Sequence, residues 1–225
     1  MHITRIDFKT DGIILPLIKI SPETRIGNAV IIHGFGGCKE EQLGLGFRLA
    51  EFGLDTYAVD LRGHGQNVKP FSLDVFDDIN ILVRSLKGEQ QTITIGHSLG
   101  GRLSLLSQAN FRIGISPALS QTFSDQTISI INTMRKHRVI EAEKDSNFKI
   151  LSSLPVVDDL MGPDDLILYG ERDIPEIAQS CRALAETHKN VLQLPGAMHG
   201  DTFLLEASFD HLKKWLLSPG RLTHA

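Results

Sequence analysis

The sequence predicts an α/β fold with a mainly parallel sheet and helices on both faces of that sheet. Short apolar segments alternate along the chain with segments whose apolar side chains recur at helical spacing. Some of the short segments, such as residues 28–33, are almost continuously apolar, as expected of strands buried on both faces. A length of 225 residues suits one large core, so we expect residues 1–225 to form a single domain.

Eight segments are predicted strands. Residues 3–8 and 13–20 form a hairpin whose turn is Asp11-Gly12. Pro16 indicates that the second strand lies at an edge or carries a bulge, because proline has no N–H to donate. The other predicted strands are residues 28–33, 55–59, 92–96, 112–116, 166–169 and 191–194.

Helical spacing predicts helices between these strands. Gly53 is a C-terminal stop signal for the first helix, and Pro175 suits the first turn of a later one. The predicted helices are residues 40–52, 72–86, 102–109, 124–136, 148–154, 175–187 and 201–217.

Residues 117–163 are too long for a simple connection between two strands. We expect a small helical cap over the carboxyl ends of the strands, where open α/β sheets bind ligands. The alternative is a helical hairpin that only packs on the sheet edge. Ile128, Ile131 and Met134 recur at i, i+3 and i+6, and we expect this stripe to bind the substrate.

The composition narrows the classes of binding partner and the cellular location that the sequence predicts. The net charge is −4, from 23 basic and 27 acidic residues, and no long run of one sign indicates a nucleic-acid partner. Cys38 and Cys181 are too few for a disulfide framework and are read as free thiols in a reducing compartment. No apolar run is long enough for membrane insertion, so a cytoplasmic location is expected. The sequence leaves the oligomeric state open.

The segment Gly96-His97-Ser98-Leu99-Gly100-Gly101 follows a predicted strand and precedes a predicted helix. Strand, tight turn and helix are the context of a nucleophile elbow, which holds a serine hydroxyl above the sheet. Glycines at 96 and 100 are expected because a Cβ there would clash where strand and helix pass closely. The alternative is a Gly-rich turn in which the serine has no catalytic role.

A serine nucleophile needs a base, an acid that orients the base, and an oxyanion hole. His199 and Asp173 each follow a predicted strand and are our candidates for base and acid. Glu171 is the rival acid. The backbone N–H groups of Phe35 and Leu99 are the candidate oxyanion donors.

Other polar residues have competing interpretations. The loop Asp60-Leu61-Arg62-Gly63-His64-Gly65 is read as structural, with Asp60 and Arg62 holding it in place. Cys38 is read as a buried thiol rather than a second nucleophile. The cluster Arg135-Lys136-His137-Arg138 either binds an acidic group of the substrate or is a solvated helix end.

Together, these motifs make the chain resemble the α/β-hydrolase superfamily over nearly its full length. The matching segments are His33-Gly34-Phe35-Gly36-Gly37, residues 60–65, residues 96–101, and the loops that carry Asp173 and His199, in the superfamily's order. The resemblance implies an eight-stranded sheet whose second strand is antiparallel. It is strongest to small esterases and to lysophospholipase-like or acylglycerol-lipase-like hydrolases. The loop after His33 lacks the triple-glycine signature of hormone-sensitive-lipase-like esterases, which counts against that branch.

The predicted function is hydrolysis of small carboxylic esters through an acyl-enzyme on Ser98, without a metal or organic cofactor. Because the cap is short, we expect short to medium acyl chains to be favoured. The alternatives are a thioesterase, an amidase or peptidase with the same triad, and a catalytically silent relative that only binds a ligand.

Overall fold

The computed structural model describes residues 1–10, 12–88 and 90–222 of the chain. Within these residues eight strands form one sheet in the order β1-β2-β4-β3-β5-β6-β7-β8. β2 is antiparallel to both of its neighbours, and all other neighbouring pairs are parallel, which confirms the predicted fold. The strands are β1 (His2–Thr10), β2 (Ile13–Ser21), β3 (Gly27–Ile32), β4 (Leu54–Val59), β5 (Thr92–His97), β6 (Phe111–Ile115), β7 (Leu166–Arg172) and β8 (Val191–Met198).

Helices cover both faces of the sheet and enclose a separate apolar core on each. Because side chains alternate along a strand, Ile31 of β3 lies in one core and Val30 in the other. The helices are α1 (Leu43–Glu51), α2 (Val75–Leu86), α3 (Leu99–Leu106), α4 (Asp125–Arg135), α5 (Ser146–Ser153), α6 (Pro175–Ala185) and α7 (Glu206–Leu216). The core around Ile31 contains apolar residues of α1 and α7, and the core around Val30 contains those of α2, α3, α5 and α6. None of the helices in these ranges is long and apolar enough to cross a bilayer.

Several predicted boundaries differ from the structure. β2 is an interior strand rather than an edge strand, and Pro16 is tolerated because pairing with β4 begins only at Leu17. Asp11 of the predicted hairpin turn lies outside the described residues, and Gly12 has a φ of +78°. The predicted helix 40–52 is a short 3₁₀ turn, Lys39–Gln42, followed by α1.

The two strands before the candidate acid and base are longer than predicted. β7 and β8 continue to Arg172 and Met198, which pair with each other after a register shift beyond Gly170. α7 starts at Glu206 rather than at 201 because local bonds hold residues 198–202 in a turn. Asp201 accepts a hydrogen bond from the Met198 N–H at 2.7 Å, and Thr202 Oγ1 donates to the Met198 carbonyl at 2.6 Å.

A buried arginine joins two parts of the long segment between β6 and β7. The guanidinium of Arg102, on α3, donates to five carbonyl oxygens and to no carboxylate among the described residues. Three of these carbonyls belong to residues 118–120 and two to residues 154 and 155. Burial lowers the Arg102 pKa to about 10, which leaves the group charged at neutral pH. The helix that follows Ser98 therefore holds residues 118–120 and residues 154 and 155 of the segment together.

Candidate active site

Ser98 lies in a strained turn between β5 and α3. Its φ of 56° and ψ of −117° are rarely adopted by a residue with a Cβ. A Cβ on Gly96 would lie 2.1 Å from the carbonyl oxygen of Gly100, and one on Gly100 would lie 2.2 Å from that of Ile32. The structure therefore has the close strand-to-helix passage that the motif predicts, and both glycines are required by it.

Asp173 and His199 meet beyond the ends of β7 and β8. His199 Nδ1 lies 2.7 Å from Asp173 Oδ1, and the Asp173 side chain is fully buried. Asp173 also accepts hydrogen bonds from the N–H groups of Ile174 and Gly170 and from the Ser116 hydroxyl. Burial would raise the Asp173 pKa, but the hydrogen bond and charge interaction with His199, together with the other donors, lower it below its usual value. Asp173 is thus held as a carboxylate against the imidazole.

The rival acid, Glu171, has a different partner. Its side chain is exposed and accepts a hydrogen bond from the Gly196 N–H at 2.7 Å, which ties β7 to the turn in β8. Gly196 has a φ of +69°, so the bond stabilises a local backbone kink. The structure brings Asp173, and not Glu171, to His199.

Ser98 and His199 line one cavity of about 340 Å³, together with Phe35 and Leu99. In the described part of the chain the Ser98 hydroxyl makes no hydrogen bond, and the N–H groups of Phe35 and Leu99 have no acceptor. A Cβ on Gly34 would lie 3.1 Å from Ser98 Cβ, so the loop before Phe35 packs directly on the turn. The candidate nucleophile and the two candidate oxyanion donors thus belong to residues of one cavity wall.

The prediction for α4 is partly wrong. Ile131 and Met134 line the cavity, but the third apolar wall residue of this helix is Ile130 rather than Ile128. Successive residues turn by about 100° around a helix, so residues 130, 131 and 134 share one face of α4. Residue 128 lies outside that face. Apolar spacing alone did not reveal which side of α4 meets the sheet.

Three residues around the candidate pair were not singled out from the sequence. His97 Nε2 donates to the main-chain carbonyl of His199 at 2.7 Å. Ser116 has a φ of 45° and donates from Oγ to Asp173 Oδ2 at 2.5 Å. Thr202 Oγ1 lies 3.1 Å from Ser116 Oγ. The position of Ser116 as the last residue of a predicted strand, 112–116, is a signal that could have indicated its role.

The loop 60–65 has the structural role that the sequence indicates. Buried Asp60 accepts hydrogen bonds from the backbone N–H of Lys39 and of Gln66, each at 2.8 Å. Arg62 makes a two-pronged ion pair with Asp78, at 2.6 and 3.0 Å. These contacts hold the loop beside the segment that carries Phe35.

His64 and Cys38 do not line the cavity. His64 is buried, and its Nδ1 donates to the Arg62 carbonyl at 2.7 Å. Burial raises the pKa of the Cys38 thiol, which disfavours the nucleophilic thiolate. In the basic cluster that begins at the last residue of α4, Lys136 pairs with Glu141 and Asp145, and Arg138 pairs with Glu41, while Arg135 lines the cavity.

Comparison with known proteins agrees with this architecture. Residues 30–115 match the family model described as alpha/beta hydrolase fold. Over 94 residues the chain is 36% identical to ethanol acetyltransferase 1 of Eremothecium cymbalariae; this match covers 40% of the chain and 26% of that relative. The chain thus spans about a quarter of the length of the curated relative it matches.

Two solved structures match the whole fold. Est1E from Butyrivibrio proteoclasticus with bound ferulic acid is 21% identical, with a TM-score of 0.71, over 94% of this chain and 98% of that one. The monoacylglycerol lipase of Paleococcus ferrophilus is 20% identical, with a TM-score of 0.68, over 90% and 98%. The family match over residues 30–115 and the likeness to these two structures show that the chain has the α/β-hydrolase fold.

Proposed function

We propose that the protein is a serine hydrolase that cleaves carboxylic esters, with Ser98 as nucleophile, His199 as general base and Asp173 as the acid that orients it. The observation that carries the proposal is the 2.7 Å contact between His199 Nδ1 and Asp173 Oδ1 at the wall of the cavity that Ser98 also lines. The names of the structural neighbours, a ferulic-acid-binding Est1E and a monoacylglycerol lipase, favour an ester over another acyl bond.

The bonding around His199 sets the direction of proton transfer. Asp173 accepts the Nδ1 proton, so Nε2 is the basic nitrogen that takes the proton of the Ser98 hydroxyl. The alkoxide attacks the acyl carbonyl, and the N–H groups of Phe35 and Leu99 hold the oxyanion. Each such donor contributes about 3 kcal/mol to the transition state. His199 protonates the leaving alcohol and then activates water, which releases the acid from Ser98.

We also propose that residues 117–163 form a cap and that α4 supplies the wall of an acyl pocket. Ile131 and Met134 of this segment line the cavity, and the Arg135 side chain packs against Gly36, where an added Cβ would lie 2.7 Å from Arg135 Cβ. A cavity of about 340 Å³ suits short to medium acyl chains.

A comparison of leaving groups tests the proposed function. We expect kcat/KM to be highest for p-nitrophenyl esters, and lower for matched acyl-CoA thioesters and amino-acid anilides. Ser98→Ala should abolish all turnover, and the double variant Cys38→Ala/Cys181→Ala should retain it. Higher kcat/KM on the thioesters or anilides would favour a thioesterase or an amidase instead. Turnover that survives in Ser98→Ala would exclude Ser98 as the nucleophile.

A further inference from the structure

Ser116 is a fully buried residue directly after the end of β6. Its backbone N–H donates to the Leu168 carbonyl of β7 at 2.7 Å. Residues on either side of it bind the main chain of Ser98: the Ser98 N–H donates to the Ile115 carbonyl, and the Ala118 N–H donates to the Ser98 carbonyl, each at 3.0 Å. The end of β6 is therefore fixed to the turn that carries the candidate nucleophile.

The Ser116 side chain holds one oxygen of the candidate acid. An ionised carboxylate can only accept, so Ser116 Oγ is the donor in its 2.5 Å contact with Asp173 Oδ2. The other donor to Oδ2 is the Gly170 N–H at 3.2 Å, whereas Oδ1 faces the Ile174 N–H at 2.8 Å and His199 Nδ1 at 2.7 Å. Without the Ser116 hydroxyl, Oδ2 would retain only the longer contact among the described residues. The carboxylate would then be freer to rotate about its Cβ–Cγ bond, which turns Oδ1 away from His199.

A second hydroxyl nearby does not take the Ser116 proton. Thr202 Oγ1 lies 3.1 Å from Ser116 Oγ and donates to the Met198 carbonyl at 2.6 Å. Each hydroxyl has one proton, and an ionised acceptor binds a donor more strongly than a neutral one. The Ser116 proton is therefore directed at Asp173, and the Thr202 proton at Met198.

The backbone of Ser116 is strained. Its φ of 45° lies in a region that residues with a Cβ rarely adopt, and the other described non-glycine residues with a positive φ are Ser98 and Asp145. A glycine would adopt this φ without strain, but it has no hydroxyl. Strain of this kind persists where the surrounding structure requires it and is concentrated at functional sites. What the serine supplies here is its bond to Asp173.

We propose that Ser116 is a positioning residue, whose hydroxyl orients the Asp173 carboxylate toward His199. This inference rests on the proposed ester hydrolysis, and it adds a residue to the machinery of that reaction. Because the end of β6 also binds the Ser98 backbone, the same segment sets the acid in register with the nucleophile. Ser116 is not part of the cavity wall, so its loss should lower kcat and leave KM nearly unchanged.

Two substitutions separate the hydroxyl from the backbone conformation. Ser116→Ala removes the hydroxyl and keeps the strained φ, whereas Ser116→Gly removes the hydroxyl and relieves the strain. We expect both to lower kcat for p-nitrophenyl acetate by roughly 10-fold or more, as for loss of a hydrogen bond to a charged group. Ser107→Ala is the matched control, because this buried serine bonds to Thr94 rather than to the acid, and it should keep the parent's kcat. Parent-like kcat in Ser116→Gly would mean that the hydroxyl is dispensable and would overturn the proposal.

A double-mutant cycle tests whether Ser116 acts through Asp173. In Asp173→Ala the carboxylate is absent, so the further change Ser116→Ala should lower kcat no more. A second loss of the same size in the double variant would show that Ser116 acts independently of the acid, which contradicts the inference.

The tautomer of His199 provides a readout that does not depend on turnover. The ¹⁵N chemical shifts of its imidazole, assigned by their loss in His199→Gln and measured where His199 is neutral, show which nitrogen carries the proton. We expect the Nδ1–H form in the parent and in Ser107→Ala, and a larger share of the Nε2–H form in Ser116→Ala and Ser116→Gly. An equal tautomer ratio in the parent and both Ser116 variants would refute the positioning role. If the parent hydrolyses no ester, ester hydrolysis itself is wrong, and the tautomer ratio still decides whether Ser116 orients the pair.

Discussion

The imidazole of His97 donates a hydrogen bond from Nε2 to the main-chain carbonyl of His199, across 102 positions of the sequence. The two rings also pack against each other in a tilted arrangement, with centroids 4.6 Å apart and an interplanar angle of 41°. Burial, followed by repulsion from His199, lowers the His97 pKa to about 3, so His97 is neutral near pH 7. The residue before Ser98 thus holds the backbone of His199 without competing for its proton.

Loss of this bond should misplace His199. We predict that His97→Phe, which keeps an aromatic ring but has no donor, lowers kcat for ester hydrolysis by about 10- to 100-fold with little change in KM. His97→Gln retains an N–H donor and should recover part of the loss. His211→Phe, on α7 and away from the cavity wall, is the control. Parent-like kcat in His97→Phe would show that the bond does not position His199.

The two acids near His199 can be separated by amide substitution. Asp173→Asn places an amide N–H donor, instead of a carboxylate acceptor, against His199 Nδ1. This should force His199 into the wrong tautomer and lower kcat by about 10⁴-fold if the three residues act as in serine proteases. Glu171→Gln changes only the exposed contact to Gly196 and should retain nearly full kcat. Steady-state kinetics, with circular dichroism to confirm folding, decides between them. If Glu171→Gln lost most of its kcat while Asp173→Asn kept it, Glu171 rather than Asp173 would be the acid that orients His199.

Stability should fall in mild acid because three histidines have lowered pKa values. Burial is the main cause that lowers the pKa of His33 to about 4 and those of His64 and His97 to about 3, below the ordinary value of 6.5. Below pH 6.5 the unfolded chain therefore binds protons that the folded chain does not. The free energy of unfolding is unaffected by these groups above pH 6.5 and falls from there toward pH 4, by up to about 1.4 kcal/mol per group and pH unit.

Urea unfolding at pH 7.5, 6.0 and 5.0 measures this slope. His64→Gln removes one titrating group, so its free energy of unfolding should depend less steeply on pH, whatever its value at pH 7.5. An equal slope in the parent and in His64→Gln would contradict the role of His64.

The acyl pocket should respond to bulk on one face of α4 only. Each CH₂ buried in an apolar pocket contributes roughly 0.8 kcal/mol, so kcat/KM should rise with acyl length until the pocket is full and then fall. Ile131→Trp should shift the optimum to shorter p-nitrophenyl esters in a series from acetate to palmitate. Ile128→Trp adds the same bulk outside the cavity wall and should keep the parent's optimum. An unchanged profile in Ile131→Trp would mean that α4 does not limit the acyl chain.

Local sequence patterns predict the parts of the site that depend on neighbours in the chain. Gly96 and Gly100 are fixed by one tight turn, and Asp173 and His199 follow strands whose carboxyl ends meet at one edge of the sheet. The parallel order of the strands follows from the alternation of apolar segments and helices.

Features that depend on distant packing were not predicted. The contact of His97 with the His199 carbonyl joins β5 to the loop after β8, and no local pattern encodes it. The side of α4 that faces the cavity depends on how residues 117–163 cross the sheet, so apolar spacing predicts Ile128 where Ile130 lines the cavity.

Covalent labelling tests the central claim, that Ser98 is an activated nucleophile, most directly. The protein is treated with a fluorophosphonate, digested, and mapped by peptide mass spectrometry, with Ser98→Ala and Ser104→Ala treated in parallel; Ser104 is a fully buried serine of α3. We predict one modified residue, Ser98, in the parent and in Ser104→Ala, and no modification in Ser98→Ala. Labelling that persists in Ser98→Ala, or an unlabelled parent that still hydrolyses esters, would contradict the claim.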